Sequence, residues 1–381
     1  LKNYLVFGHK YMQKNHNTFY KNIKLLEPGT NIIWNKNKVQ KKIYWKISLS
    51  KNKISLNDAI DGVKEHLDRS VKLRLRSDVP IAFHLSGGID SNFLLGSSIG
   101  NLNYSPTSFS IIDKDQRYDE SENINKANKF FNIKNVKINI NKKINHLEYI
   151  KNLTIQHDSP ISTISSYVSS LLSKKMKKMG FKVSISGLAA DEIFAGYYEH
   201  SNLNLIDFKK NKKLFNYFEK NWKKNIQGFI RNPFLKTMKY FIKDENFFEN
   251  RILNYKVFQD CLINTDLDPK KITKQKFYCK SRLRNRMLNE LFYEQTQIGT
   301  MQDDKNSMFN SIENRSPYLD KDLIEFVYSL PQKYLMHNGI PKYLLREASR
   351  NIINEDIRSD YRKKGFNADI KSLINFSNKS M

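Results

Sequence analysis

The pattern of apolar and polar positions changes character along the chain. Residues 1 to about 48 carry short apolar runs at Tyr4–Gly8, Pro28–Trp34 and Val39–Trp45, with Pro28-Gly29 as a turn, and these predict three short β-strands. Three such strands bury little surface alone, so the piece is expected to lean on other structure or to belong to a larger sheet. The stretch from Ser48 to Asn57 is the best boundary. Behind it, Ser55 and Asp58 have the spacing of a capping box, and Ile60, Val63, Leu67 and Val71 recur at helical spacing, predicting a helix that ends before Pro80. Strand and helix patterns then alternate: a strand over 79–85, a strand over Thr107–Ile112, a helix over Ser121–Phe131 and a strand over Val136–Ile140. A helix over Ser165–Gly180 carries Val168, Leu171, Leu172, Met176 and Met179 on one face, and Lys182–Ser186 is a fourth strand. This rhythm predicts an α/β fold, a mostly parallel sheet flanked by helices with ligands at the carboxyl ends of its strands. Aromatic and leucine-rich segments from Asn202 to Gln297 read as helices, giving a helical C-terminal part.

Composition adds limits. The 381 residues allow one large domain or two ordinary ones, and 39% hydrophobic with 12% aromatic content supports a real core. The formal charge of +27 invites a nucleic-acid reading, but the lysines are scattered among Asn and Ile, so a compositional bias explains them as well as a basic face does, and nucleic acid is not the expected partner. Cys261 and Cys279 have no partner pattern of Cys or His, which fits a reducing cytoplasm better than disulfides or a zinc site. No apolar run is long enough to span a bilayer and the start lacks a signal-peptide layout, so a soluble, cytoplasmic protein is expected, with no membrane partner.

Chemistry concentrates in four stretches. Ser86-Gly87-Gly88-Ile89-Asp90-Ser91 follows one apolar run and precedes another, the order of strand, glycine turn and helix start. Adjacent glycines allow close backbone approach to a ligand, and the unpaired N–H groups of the helix start attract an anion, so the turn suits phosphate. Ser86 and Ser91 add hydroxyls; Asp90 adds a carboxylate that suggests a bridging Mg²⁺. A tight capped turn is the plain alternative. Ser186-Gly187 with Asp191-Glu192 and Gly196-Tyr197 repeats that logic after the fourth strand. If the two strands are neighbours, Asp90 and Asp191 face each other and would hold Mg²⁺ against a triphosphate, although acidic residues also favour any helix start. Glu313 and Arg315 lie in a small, apolar stretch and read either as partnered ions in a cleft or as a structural salt bridge. Lys342–Glu347 reads as a helix and Tyr361–Phe366 as a basic turn; in a lysine-rich chain, composition does not single out Lys363.

Taken together and in this order, these stretches resemble the asparagine synthetase family, glutamine-dependent amidotransferases with an ATP pyrophosphatase domain; Ser307-Met308, Pro317, Leu319-Asp320 and Gly365-Phe366 add to the match. The resemblance implies an adenine nucleotide alpha hydrolase-like domain over 55–381. Thr18-Phe19, Ile23, Leu26, Pro28-Gly29 and Tyr44-Trp45 resemble the closing strands of the glutaminase, so 1–48 is expected to be a β-rich remnant of that Ntn-type domain. The chain starts at Leu1 without the N-terminal cysteine nucleophile and stops soon after Phe366, so a fragment is expected.

The implied mechanism uses ATP and Mg²⁺. Ser86, Gly87, Gly88 and Ser91 would hold the pyrophosphate moiety, Leu85 and Ile111 would touch adenine, and Ser186-Gly187 would lie beneath the nucleotide. Asp90 and Asp191 would bind the metal. The β-carboxylate of aspartate would attack the α-phosphorus, and ammonia, from glutamine in a complete protein, would displace AMP. Lys363 would stabilise the charge that builds on the phosphoryl oxygens; Glu192, Glu313, Arg315 and Lys342 would contact substrate or pyrophosphate. A homodimer is open. Leu188 departs from the pattern, because relatives often carry an acid there near the reacting amine. That leaves room for another carboxylate, as in surface-polysaccharide pathways. An ATP pyrophosphatase acting on tRNA and an inactive subunit are the rival readings.

Overall fold

A computed structural model describes residues 1–50, 53–140, 144–252, 255–258, 267–362, 364–365 and 367–374. Two strands, β1 (Thr30–Asn35) and β2 (Lys38–Ile43), form an antiparallel hairpin. The other five, β3 (Ile81–His84), β4 (Thr107–Ile112), β5 (Lys134–Asn139), β6 (Val183–Ile185) and β7 (Glu313–Arg315), form one all-parallel sheet in the order β5-β4-β3-β6-β7.

Alternation along β3 decides which layer covers each face. Phe83 joins the core built with Val63, Leu67 and Val71 of the helix Leu56–Arg74. Ala82 points the other way and packs with Phe109, Leu172 and Met176, the last two from the helix Ile164–Lys178. The capping box at Ser55 and Asp58 is formed, with Ser55 Oγ accepting from the Asp58 N–H at 3.1 Å. These features follow the sequence pattern closely, as do Ser121–Phe131 and the helical run after Tyr198.

Two departures matter. The expected strand at Tyr4–Gly8 is instead a helix, Lys2–Phe7, which Gly8 at φ 86° ends and separates from a 3₁₀ turn at His9–Tyr11. Val6 and Phe7 from the helix and Tyr11 from the turn bury together with Ile252 and Phe248. Among the N-terminal residues only the β1–β2 hairpin is β-structure of the kind expected, apart from an isolated bridge between Asn17 and Lys24. The second departure is β7, a strand of polar residues that carries no alternation to announce it. Its place is fixed by pairing with β6, to which the Ser186 N–H adds a bond to the Arg315 carbonyl at 3.0 Å.

The register positions the chemistry. Phe83 lies opposite Ile185 across the β3–β6 pair, so the turns that start at Leu85 and Ser186 leave the sheet side by side.

Candidate active site

The first turn is rigid and shaped for anionic oxygen. Ser91 Oγ accepts from the Ser86 N–H at 3.1 Å and lies 3.0 Å from Ser86 Oγ, while Asn92 Nδ2 donates to the Ser86 and Gly88 carbonyls at 3.1 and 2.7 Å. The Gly87 N–H donates to a carboxylate oxygen of Glu120 at 3.1 Å, so the turn already receives an anionic oxygen. A Cβ at Gly87 would lie 2.9 Å from Asn123 Cβ, which is why this position excludes a side chain. Asn92, Glu120 and Asn123 escape sequence reasoning because common polar residues in helices carry no motif of their own.

The second turn touches the first. A Cβ on Gly187 would sit 3.2 Å from Asp90 Cβ and 3.3 Å from the Ser91 nitrogen. Ala189, at φ 73°, then turns the chain into the short helix Ala190–Phe194. The two carboxylates expected to face one another do so, and they converge on a lysine: Lys342 Nζ lies 2.6 Å from both oxygens of Asp90 and 2.6 Å from Asp191 Oδ1. Lys342 reaches them from a left-handed backbone, φ 56°, at the start of the helix Tyr343–Ala348. Tyr318, from the third motif, donates its hydroxyl to the Asp90 carbonyl at 3.0 Å.

Glu192 is buried at the same mouth, where Tyr197 Oη donates to its carboxylate at 2.8 Å. Burial pushes its carboxyl up to about 7, and the nearby charges of Asp191 and Glu290 push the same way. The Tyr328 hydroxyl holds the Glu192 carbonyl at 2.9 Å.

A cavity of about 510 Å³ joins these groups. Leu85, Ser86, Gly87, Gly88, Asp90, Ser91, Ser186, Gly187, Leu188, Asp191, Glu192 and Lys342 all line it. Phe109 lines it too, whereas Ile111 does not and packs against the two clusters that hold Leu153 and Phe109. Glu313 and Arg315 stand apart, bonded to one another at 2.8 Å, with Arg315 Nη1 also donating to the Arg74 and Arg76 carbonyls at 2.7 and 2.8 Å. They line a second cleft with Asp304 and Thr300, and their geometry is that of a structural bridge. Lys363 lies outside the described residues; its neighbours Arg362 and Lys364 line the cavity.

Two acidic side chains that both approach one cationic nitrogen can also approach one divalent cation, and a carboxylate pair beside a phosphate turn is the donor set that Mg²⁺ takes with phosphates. The residues therefore fit the ion.

The asparagine synthase family model matches residues 62–378. The chain belongs to the asparagine synthase family. It is 26% identical over 368 residues to asparagine synthetase [glutamine-hydrolyzing] 1 of Bacillus subtilis, a match covering 92% of this chain and 56% of that protein. Asparagine synthetase [glutamine-hydrolyzing] 3 of the same organism is 26% identical over 369 residues, covering 91% and 54%. The chain thus spans about half the length of these curated relatives. Among solved structures, the U34-tRNA thiolase NcsA from Methanococcus maripaludis aligns with a TM-score of 0.27 at 12% identity, over 70% of this chain and 89% of that one. Among the described residues, no helix of this family member is long and apolar enough to cross a membrane.

Proposed function

We propose that this chain is an ATP-dependent carbon–nitrogen ligase that adenylates a carboxylate and passes the acyl group to ammonia. The observation that carries the reading is the meeting of Asp90, Asp191 and Lys342 beside the phosphate turn. The pyrophosphate moiety is assigned to Ser86, Gly87, Gly88 and Ser91, where it would take the place of the Glu120 carboxylate at the Gly87 N–H and draw on the serine hydroxyls. Asp90 and Asp191 would hold Mg²⁺, which would supply neutralisation of phosphate charge. Lys342 keeps the two carboxylates together and offers its ammonium to the departing pyrophosphate. The base rests on the apolar shelf of Leu85, Phe109 and Leu172, with Ser186 and Gly187 beneath the nucleotide.

In the first step a carboxylate oxygen bonds to the α-phosphorus and the bond to the β-phosphate breaks, releasing pyrophosphate. In the second, the ammonia nitrogen bonds to the acyl carbon, AMP leaves with the electron pair of the broken C–O bond, and the nitrogen loses a proton to solvent. The family resemblance offers aspartate as the carboxylate and glutamine as the source of ammonia in a longer protein. Lys363, between two cavity-lining basic residues, is assigned to the phosphoryl oxygens of the first step.

The test is release of AMP and pyrophosphate in the presence of ATP, Mg²⁺, ammonia and a carboxylic acid. Lys363→Ala should abolish AMP formation while ATP still binds; wild-type turnover in that variant removes the assignment of Lys363. A protein that binds ATP and releases no AMP with any acid is a non-catalytic subunit.

A further inference from the structure

Tyr197 lines the cavity and its hydroxyl fixes Glu192, yet its own position is set from deeper in the protein. It follows Ala195 at φ 58°, a left-handed conformation that an alanine keeps only where its surroundings hold it. Inside the turn, the Gly196 N–H donates to the Asp191 carbonyl at 2.9 Å. Beyond the turn, the Tyr197 N–H donates to His200 Nδ1 at 3.3 Å, and the two rings meet edge to face with centroids 5.2 Å apart. An Nδ1 that accepts leaves the proton of the neutral ring on Nε2, which donates to Glu290 at 2.6 Å. Tyr197, His200 and Glu290 thus form one line from the cavity into the core.

The N-terminal segment meets that line at both ends. Lys10, in the turn His9–Tyr11, brings its ammonium 3.8 Å from Glu290 Oε1 and 5.9 Å from the centre of the Tyr197 ring. Glu290 is wholly buried and the Lys10 side chain mostly so. The other charged neighbours of Glu290 are Arg286, from the same helix Arg282–Tyr293, and His200, from the helix Tyr198–Asp207. The backbone that carries Lys10 is anchored on either side of it. Tyr4 Oη donates to the Ile161 carbonyl at 2.9 Å, His9 Nε2 lies 3.3 Å from Gln295 Oε1, and Gln13 Nε2 donates to Met301 Sδ at 2.8 Å.

A lysine beside a glutamate on a protein surface contributes little, and its loss would leave a distant cavity indifferent. The pair here differs in its setting. Its acid is buried, and through His200 that acid is bonded to the backbone of a cavity residue whose ring the same ammonium covers. Removing the cation therefore alters two of the contacts that hold Tyr197.

We infer that Lys10 is a positioning residue for the candidate active site: its ammonium braces Glu290 and the Tyr197 ring together and so sets the Tyr197 hydroxyl on Glu192. The N-terminal segment is then a working part of the ligase site. The inference rests on the ligase reading above for its kinetic consequence, whereas the brace itself is tested without turnover.

The experiment uses the full chain and compares Lys10→Met with Lys10→Arg and Lys14→Met. Lys14 is the matched control, since it carries the same charge in the same segment and donates instead to the Lys274 carbonyl at 2.9 Å. Amide hydrogen exchange over residues 195–200 should quicken about tenfold in Lys10→Met and stay within about twofold of wild type in the other two variants. With ATP, MgCl₂, ammonium chloride and L-aspartate, kcat for AMP release should fall about tenfold in Lys10→Met, less than the roughly hundredfold that a misplacement of about 1 Å costs. The Kd for ATP, from calorimetry, should stay within about twofold, because the phosphate turn is untouched, and Lys10→Arg should recover kcat to within about threefold. Unchanged exchange in Lys10→Met, or an equal rise in Lys14→Met, overturns the inference. A loss of ATP affinity in step with kcat, or no recovery with arginine, does so too. Lys10→Gln removes the charge while keeping a polar side chain, and it gives the same comparison if Lys10→Met does not fold. A wild-type protein that binds ATP and forms no AMP counts against the ligase reading, and the exchange measurement then decides the brace alone.

Discussion

Gly196 lies so close to Asp191 that a Cβ on the glycine would stand 2.9 Å from Asp191 Cγ and closer still to its Oδ1 and to Lys342 Cε. The absence of a side chain at 196 is therefore what lets the carboxylate and the ammonium meet. Gly196→Ala should lower AMP formation by about two orders of magnitude and cost about 1–3 kcal/mol of stability, the usual range for overpacking. Steady-state AMP release and thermal unfolding measure the two effects. Wild-type kinetics in this variant would mean that the Asp191–Lys342 pair is dispensable.

Lys342→Met removes the cation between two partly buried carboxylates. The metal-free protein should lose about 1–3 kcal/mol, the cost of leaving buried polar groups without their partner. Mg²⁺ should restore part of that loss, so the melting temperature should rise more with added MgCl₂ in the variant than in the wild type. An equal rise in both would remove Asp90 and Asp191 as the ion's site. The readout is independent of turnover.

Gly187 is the point at which the two ligand turns touch. A methyl there presses on Asp90 Cβ and the Ser91 nitrogen at 3.2 and 3.3 Å, both parts of a helix start that cannot rotate away. Gly187→Ala should weaken ATP binding by about tenfold, about 1.4 kcal/mol, with the fold intact by circular dichroism. Titration calorimetry with ATP checks it, and unchanged affinity would show that the turns tolerate separation.

A fourth prediction concerns acid. Arg286, Glu290 and Glu294 are wholly buried, with Arg286 Nη2 3.0 and 2.7 Å from the two carboxylates, and His200 Nε2 lies 2.6 Å from Glu290. Burial alone would raise the Glu290 carboxyl, but Arg286 and His200 outweigh it and hold it down at about 2. Glu199 and Glu294 are lowered in the same sense against the same burial. A carboxyl whose folded value lies below its unfolded value of 4.5 stabilises the fold fully above that pH. The contribution is lost as pH falls from about 4.5 toward 2. Glu290→Gln should cost about 3–5 kcal/mol at neutral pH, as for one broken partner of a buried ion pair, and should flatten the fall in stability below about pH 4.5. Urea unfolding at stepped pH gives both quantities; parallel curves for the two proteins would assign the acid sensitivity elsewhere.

What could be read from the sequence was decided by burial. The helix Leu56–Arg74 repeats apolar residues at helical spacing because one face is buried, the strands at 81–84, 107–112 and 183–185 are short and largely buried on both faces, and the turns after the first and last of these carry glycines that close contact requires. The pairing of β3 with β6 then brings Asp90 and Asp191 together, as the repeated strand-to-turn logic implied. Elements held by other means stayed hidden. β7 is a strand because backbone groups of β6 need partners, and Glu313-Asn314-Arg315 says nothing of that. Lys342 was legible as a helix residue near substrate but not as the bridge between two carboxylates, since lysine is too common in this chain to stand out. Arg286, Glu290 and Glu294 do recur at four-residue spacing, which is a readable sign of a helix lined with paired charges.

The late position of β7 has a consequence for how the protein forms. During synthesis β6 can pair with β3 on one side, but its other edge stays open until the helices from Ala190 to Phe309 have been made and β7 follows them. Lys342 comes later still. Contacts this distant in sequence form slowly, and an unpaired edge in a half-made sheet invites association with other chains. The ribosome thus releases β7 and Lys342 well after β3 and β6, and a chain stopped before Glu313 would expose the flank of β6.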